Sequence, residues 1–332
     1  MLKLARRSND DRGAIISSTA MQRKLNEAII EKDFWVCWLL EILFHHCKYS
    51  KYLAFKGGTS LSKGYGVIER FSEDIDLILD WRLLGYGVDE PWVERSHCAQ
   101  ERFNDEMNDK TNEFLREVLM PDLKEITENQ GIDTFEYYID EMDQQTIRFV
   151  YPQLYVDNSL VQEIRLEIGS LAAWTPNTER SITPFVAESY PGNFELASTQ
   201  IRTVEAKRTF WEKATILHSE AQRSGRKMPP RYSRHYYDVY MLYHSSIKHE
   251  AFADYDLLEK VASFKQKFYR MNRARYEDAN QKGLKLLPPK ENIPALIEDY
   301  ESMKSMIFGE VVSFGEILDG LAEMLLEMHS RS

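Results

Sequence analysis

Cysteine is scarce in this 332-residue chain: Cys37, Cys47 and Cys98 are odd in number and show none of the paired spacings of a zinc site. That argues against a disulfide scaffold and for a reducing compartment. Glycine (15) and proline (11) are too few for a collagen-like or low-complexity chain. Long apolar runs are missing as well. The best, Phe34 to Phe44, is interrupted by Glu41 and falls short of the ~20 residues a bilayer requires. The first residues, MLKLARRSNDDRG, lack the apolar core of a signal peptide. These absences predict a cytoplasmic protein with no membrane partner. Positive charge is in deficit, 42 Lys and Arg against 53 Asp and Glu, and the net −11 argues against non-specific coating of nucleic acid. No Walker A loop, no Ser-His-Asp logic and no cluster of His and Cys is visible. His45 and His46 are adjacent and the other histidines scattered.

What is present is ample apolar material, 43% of the chain, enough to exclude disorder, and a length that suggests two domains or one large domain with additions. Charge is segregated along it. Arg202 to Arg234 holds nine basic and three acidic residues, and Lys265 to Lys290 eight and two. Glu101 to Asp143 holds fourteen acidic and four basic. Such blocks make one surface a candidate for a polyanion and another a repeller, although solvated helix faces look the same in sequence. Periodicity predicts a helix over 15–48, a strand at 52–55, a helix at 59–68 and a strand at 74–79. It predicts an acidic helical stretch at 101–128, strands at 147–156 and 161–168, and helices at 203–222 and 233–246. From 252 to 331 the pattern is helical, broken near Leu286-Leu287-Pro288-Pro289. The order is helix, mixed α/β, then all helix, with an irregular boundary expected between Ala173 and Gln200.

The chemistry concentrates in Lys56 to Leu79, KGGTSLSKGYGVIERFSEDIDLIL. A Gly57-Gly58-Thr59 turn after Lys56, between a strand and a helix, exposes backbone N–H groups at a helix N-terminus, which suits a phosphate. Asp74 and Asp76 are i and i+2 on a strand, so they share one face while Ile75, Leu77 and Leu79 point into the core. Two adjacent carboxylates repel, and a hard divalent cation between them, Mg²⁺ above all, relieves the repulsion. Either end alone is weak; a Gly-Gly turn mostly binds nothing, and an edge strand often carries a charged face. Together they describe a compact site for an NTP and a metal.

GGT, fourteen residues, then DID resembles the signature of the polymerase-β-like nucleotidyltransferase superfamily. EKDFWVCWLL (31–40), FKGGTSLSKGYG (55–66) and RFSEDIDLIL (70–79) resemble the AbiEii/AbiGii-type toxin nucleotidyltransferases of bacterial abortive-infection and toxin–antitoxin pairs, a likeness running from about 28 to 245. The resemblance implies an α+β fold: a nucleotidyltransferase core (a small mixed sheet with flanking helices, preceded by N-terminal helices) over 1–200 and a helical C-terminal domain over 201–332. It implies a third metal carboxylate from a neighbouring strand. Glu167 in VQEIRLEIGS fits, although Asp is common there, and Glu163 on the same face is the alternative. It implies that Asp76 bridges two ions, and that Lys56, Gly57, Gly58 and Thr59 hold the NTP phosphates.

Lys213 lies i+3 from Phe210, on a stripe with Ala214 and Leu217, where an ammonium must snorkel out or meet an anion. It resembles the Lys of the family's E-K motif, which implies contact with the NTP phosphates. Lys207 and Arg208 are expected near the surface. RYSRHYYDVYML (231–242) resembles the family's R-D-x-Y-D-h motif, with Arg234 and Asp238 matching and His235 replacing the first Asp. Asp238 has Met241 and Leu242 at i+3 and i+4, so it is expected inside, paired with Lys213 or Arg234; a catalytic and a purely structural role both remain open.

The implied activity is a Mg²⁺-dependent nucleotidyltransferase toxin that moves NMP from an NTP to an RNA acceptor, the tRNA 3′ end, with a cognate antitoxin as partner. The basic segments suit an acceptor stem read through its phosphates. Phe268, Tyr269 and Tyr276 either stack a terminal base or belong to the core. A protein-hydroxyl or small-molecule acceptor, or a non-catalytic NTP-binding module, are the alternatives. The acidic segment 101–143 is expected as an insertion between catalytic strands.

Overall fold

A helix buried on every side organises the first part of the chain. Every residue of α3 (Glu27–Glu41) from Ala28 to Leu40 is buried, including Glu31, Lys32 and Asp33. The computed structural model describes residues 1–157, 160–223 and 225–331. They form two compact units, Met1–Gly64 with Ser72–Val204, and Tyr65–Phe71 with Glu205–Ser332. No helix among the described residues is long and apolar enough to cross a membrane.

In the first unit α1 (Leu2–Ala5) and α2 (Asn9–Arg23) precede α3. The expected single helix over 15–48 is thus two. Lys24 turns left-handed (φ 55°), and the Asn26 side chain accepts the Ala28 N–H at 2.8 Å, ending one helix and capping the next. The strands are β1 (Leu53–Lys56), β2 (Ile75–Leu79), β3 (Glu136–Ile139), β4 (Thr146–Val150), β5 (Ile164–Gly169), β6 (Asn177–Ile182) and β7 (Thr199–Val204). They form one mixed sheet in the order β3-β4-β5-β2-β1-β7-β6. β2 runs parallel to β5 and β1 to β7; the other neighbours are antiparallel.

Between β1 and β2 lies the short α4 (Gly57–Thr59), continued as a π turn over Ser60–Gly64. The helix expected at 59–68 therefore begins two residues early and stops at Gly64. The acidic stretch is α5 (His97–Phe114), a π turn and α6 (Met120–Asn129), inserted between β2 and β3. The stretch expected to be irregular, 173–200, holds β6, α7 (Phe185–Ser189) and the start of β7. β6 carries no strand signal because its sequence, NTERSI, is polar and mostly exposed, as an edge strand permits. One face of the sheet packs on α3. Trp38 stacks on Phe149 (5.8 Å) and Trp35 on Tyr151 (6.0 Å), while Ile75, Leu77 and Leu79 join the same core. Ile78, on the opposite face, packs with Ala54 and Val204.

The second unit is helical: α8 (Ala206–Glu220), α9 (Ser233–Tyr243), α10 (Ile247–Phe252), α11 (Tyr255–Phe268), α12 (Ile293–Met303) and α13 (Phe314–Ser330). α8 buries Phe210, Trp211, Ala214 and Leu217, and Trp211 stacks on Phe252 at 6.1 Å. α13 starts with a capping box, Ser313 with Glu316, and buries Phe314, Ile317, Leu321, Met324 and Met328 at helical spacing. Residues 65–71 join this unit through an Arg70–Ile307 bridge and the Phe71 N–H on the Met306 carbonyl (2.7 Å).

Candidate active site

The turn after β1 is shaped by what lies beside it. Gly57 has φ +77°, and a Cβ there would sit 1.8 Å from Asp76 Oδ2. Only glycine meets both conditions. The Thr59 hydroxyl donates to the Asp74 backbone carbonyl, and Ser60 Oγ donates to the Gly57 carbonyl at 2.8 Å. Thr59 is buried, so its side chain ties the turn to the lead-in of β2. The N–H groups of Gly57, Gly58 and Thr59 open the helix and have no intrahelical acceptor.

Cross-strand register brings the carboxylates together. Lys56 on β1 is opposite Asp76 on β2, and Asp76 is opposite Glu167 on β5. Directly opposed residues share a sheet face, so Lys56, Asp76 and Glu167 form one row. Asp74 lies two residues before Asp76, just ahead of β2. Glu163 lies elsewhere: it accepts from the Tyr138 hydroxyl (2.7 Å) and faces Arg148 (3.7 Å). Register therefore favours Glu167 over Glu163 as the third carboxylate.

The electrostatics report an excess of negative charge. Burial raises the Glu167 carboxyl to about 7, with Asp76 and Asp74 adding to the shift, while Arg165 (3.1 Å from Glu167) opposes it. Asp74 is raised by burial, then by Glu73 and Asp76, against Arg165 and Lys32. Carboxylates whose protons are held by burial first and by neighbouring carboxylates second are a donor set that a hard divalent cation relieves. Asp74, Asp76 and Glu167 fit such an ion. Their oxygens do not all lie within 4.8 Å of one another. Among the described residues, the set of His, Cys, Asp and Glu ligand atoms that does is His97, Cys98 and Glu101. These are exposed on the first turn of α5, where His97 and Glu101 are an i,i+4 pair at 3.1 Å.

The second unit holds the other expected residues. Asp238 is fully buried on α9 and accepts from Arg70 Nε (2.7 Å) and Nη2 (2.8 Å), with Lys213 Nζ of α8 at 2.7 Å. Burial would raise the Asp238 carboxyl; Arg70 and Lys213 outweigh it and hold the group well below the usual carboxylate range. Burial lowers Lys213, Asp238 opposing and Arg70 adding to the drop. Of the two expected partners, Lys213 pairs with Asp238. Arg234 is half-buried and makes no ion pair among the described residues. His235 is pushed well below its ordinary value by burial and then by Lys213 and Arg234, and its buried Nδ1 has no partner among the described residues. Two cations thus meet one carboxylate, and Arg234 lies near enough to act on Lys213 and His235. Sequence reasoning misses Arg70, although it opens RFSEDIDLIL; nothing local marks an arginine whose partner lies 168 residues away. Arg208, expected near the surface, is buried against Glu212 at 3.0 Å, while Lys207 is half-buried between Glu205 and Asp254.

Among curated proteins none matches the chain in sequence. In structure it is similar to the nucleotidyltransferase toxin MenT4 of Mycobacterium tuberculosis H37Rv, with 14% identity, 96% of each chain covered and a TM-score of 0.48. It is also similar to JHP933 of Helicobacter pylori, with 13% identity, 92% of this chain and 94% of that one covered and a TM-score of 0.44. A family model described as nucleotidyl transferase AbiEii toxin, type IV TA system, matches residues 38–320. That match spans the turn, the paired aspartates, Glu167, Lys213 and Asp238, and the chain accordingly belongs to the AbiEii nucleotidyltransferase toxin family of type IV toxin–antitoxin systems.

Proposed function

We propose that this nucleotidyltransferase moves an NMP from an NTP to an RNA acceptor, the 3′ end of tRNA, and that its divalent ion is Mg²⁺. The observation that carries the reading is the row Lys56, Asp76, Glu167, with Gly57 packed directly against the Asp76 carboxylate. Asp74, Asp76 and Glu167 would hold Mg²⁺, which when bound activates an attacking hydroxyl and offsets charge on the departing pyrophosphate. The N–H groups of Gly57, Gly58 and Thr59 cradle NTP phosphates, and Lys56 adds a positive charge beside them. Lys213 meets phosphate charge. Supporting this, Asp238 is already doubly bonded by Arg70, so the cluster of Arg70, Lys213, Arg234 and Asp238 keeps a positive surplus. Asp238 acts as the residue that holds Lys213 and Arg70 in place.

The RNA acceptor is supported by Arg270, Lys282, Lys285 and Lys290, which are exposed and form no ion pair among the described residues. Phe268 and Tyr276 are core residues, and Tyr269, 52% exposed and beside Phe264, is the ring of the three that reaches the surface, where it would stack on a base. The family implies a cognate antitoxin as partner.

The test is incubation of the purified protein with total bacterial RNA, Mg²⁺ and each α-labelled NTP, with Asp76→Ala alongside. Expected is a labelled band of tRNA size whose intensity falls about a thousandfold in the variant, the loss of several kcal/mol of ion-mediated stabilisation. No label on RNA from a wild-type protein that binds NTP and Mg²⁺ overturns the RNA reading. A protein lysate assayed next then distinguishes a protein acceptor.

A further inference from the structure

Glu31, Lys32 and Asp33 are consecutive on α3, and none is more than 2% exposed. Successive helical residues point about 100° apart, so each reaches a different part of the unit. Glu31 accepts the N–H groups of Leu154 (3.0 Å) and Tyr155 (3.0 Å). Asp33 accepts the Phe185 N–H (2.7 Å) and pairs with Lys63 (2.8 Å), four residues beyond Thr59. Lys32 donates to the Glu73 carboxylate (2.8 Å) and to the Val161 carbonyl. Glu73 immediately precedes Asp74. Val161 lies three residues ahead of β5, whose Glu167 faces Asp76. One ammonium therefore joins the lead-ins of both strands that carry the carboxylates.

A buried ion pair contributes little net stability, because desolvation offsets the attraction, and an apolar side chain of the same length would fill the space. What the ammonium adds is direction: two fixed bonds from one nitrogen. We propose that Lys32 is a positioning residue, a cross-tie between Glu73 and Val161 that sets Asp74 against Asp76 and Glu167 for a divalent cation. It touches neither substrate nor ion, and its role rests on Asp74, Asp76 and Glu167 being the metal carboxylates.

The experiment measures Mn²⁺ affinity of the full-length protein, by electron paramagnetic resonance of the free ion, together with Tm. The variants are Lys32→Met, the double variant Lys32→Met with Glu73→Gln, and Asp76→Ala. Lys32→Met removes the ammonium that meets the buried Glu73 carboxylate, so Tm falls. The double variant removes both charges, keeping local net charge and most of the volume, so Tm recovers while the cross-tie stays broken. Expected is Mn²⁺ binding about tenfold or more weaker in the double variant, the usual effect of losing a supporting contact behind metal ligands. Wild-type affinity in the double variant, with binding lost in Asp76→Ala, overturns the cross-tie alone. Wild-type binding unaffected by Asp76→Ala overturns the carboxylate reading and the cross-tie with it.

Discussion

Two charged clusters in this protein are built to opposite imbalances. In the first unit, Asp74, Asp76 and Glu167 crowd together with too little positive charge, and the Asp74 and Glu167 carboxyls hold protons above their ordinary range. In the second, Arg70 and Lys213 hold Asp238, whose carboxyl is driven well below its ordinary range. Burial is the largest influence raising Asp74 and Glu167, and neighbouring carboxylates add to it; at Asp238 the same influence is outweighed by Arg70 and Lys213. The second cluster therefore reports the pull of its cations. Under the proposed function, the first cluster is the candidate for a cation and the second the candidate for an anion, with one carboxylate as its anchor.

The sharpest way to break the comparison is Asp238→Asn. It removes the carboxylate that buried Arg70 and Lys213 share and should cost about 3–5 kcal/mol, read as a lower Tm. The pH dependence has a definite sign. A depressed carboxyl contributes stability that is present above the ordinary range, near 3.8, and is lost as pH falls through the folded value. Wild-type and variant stabilities should accordingly converge in strong acid. If their separation is independent of pH, Asp238 is not the anchor. Gly57→Ala attacks the first cluster. A methyl group 1.8 Å from the Asp76 carboxylate must displace it, and transfer should drop about a hundredfold, the scale of a 1 Å misplacement. Unchanged kcat would mean that the Asp76 position is not critical.

Glu167→Gln sharpens the same region by pH. A carboxyl that keeps its proton up to about 7 when folded, against 4.5 ordinarily, makes the metal-free protein lose stability as pH rises across that window. The variant should flatten that slope in Tm measured with chelator present, and added divalent cation should stabilise the wild type most above pH 7. A wild-type slope that survives in Glu167→Gln assigns the titration elsewhere. The smallest effect on stability belongs to Arg234→Ala, within about 0.5 kcal/mol, since no ion pair is lost. Its KM for NTP should nevertheless rise about tenfold, one charge-assisted bond's worth. An unchanged KM removes Arg234 from the anion site.

Much of the candidate site is legible in the sequence, because its parts are local. Asp74 and Asp76 reveal themselves by alternation, and Gly57-Gly58-Thr59 by lying between an apolar run and a helix start. Lys213 stands out as a charge on an apolar stripe, and it is indeed buried with Asp238. Sequence reasoning fails where local pattern is silent. Helix 15–48 contains a break because Lys24 adopts a left-handed turn that a lysine does not announce. β6 is a polar edge strand without alternation. Thr59, expected toward phosphate, has its hydroxyl on the Asp74 carbonyl, and the charges of Glu31, Lys32 and Asp33 give no sign that a helix buried on all sides makes each find a partner.

The sequence by itself determined which side chains are candidates to carry a metal, a phosphate and a counter-charge, and at what spacing along the chain. Only the tertiary structure decided their company. Glu167 rather than Glu163 lies beside Asp76 because parallel register, set by the pairing of β2 with β5, puts it there. Arg70 rather than Arg234 holds Asp238 because residues 65–71 are drawn onto the helical unit by backbone pairing with 306–308. Register and partner choice depend on contacts between residues far apart in the chain, and no window of sequence contains both ends of such a contact.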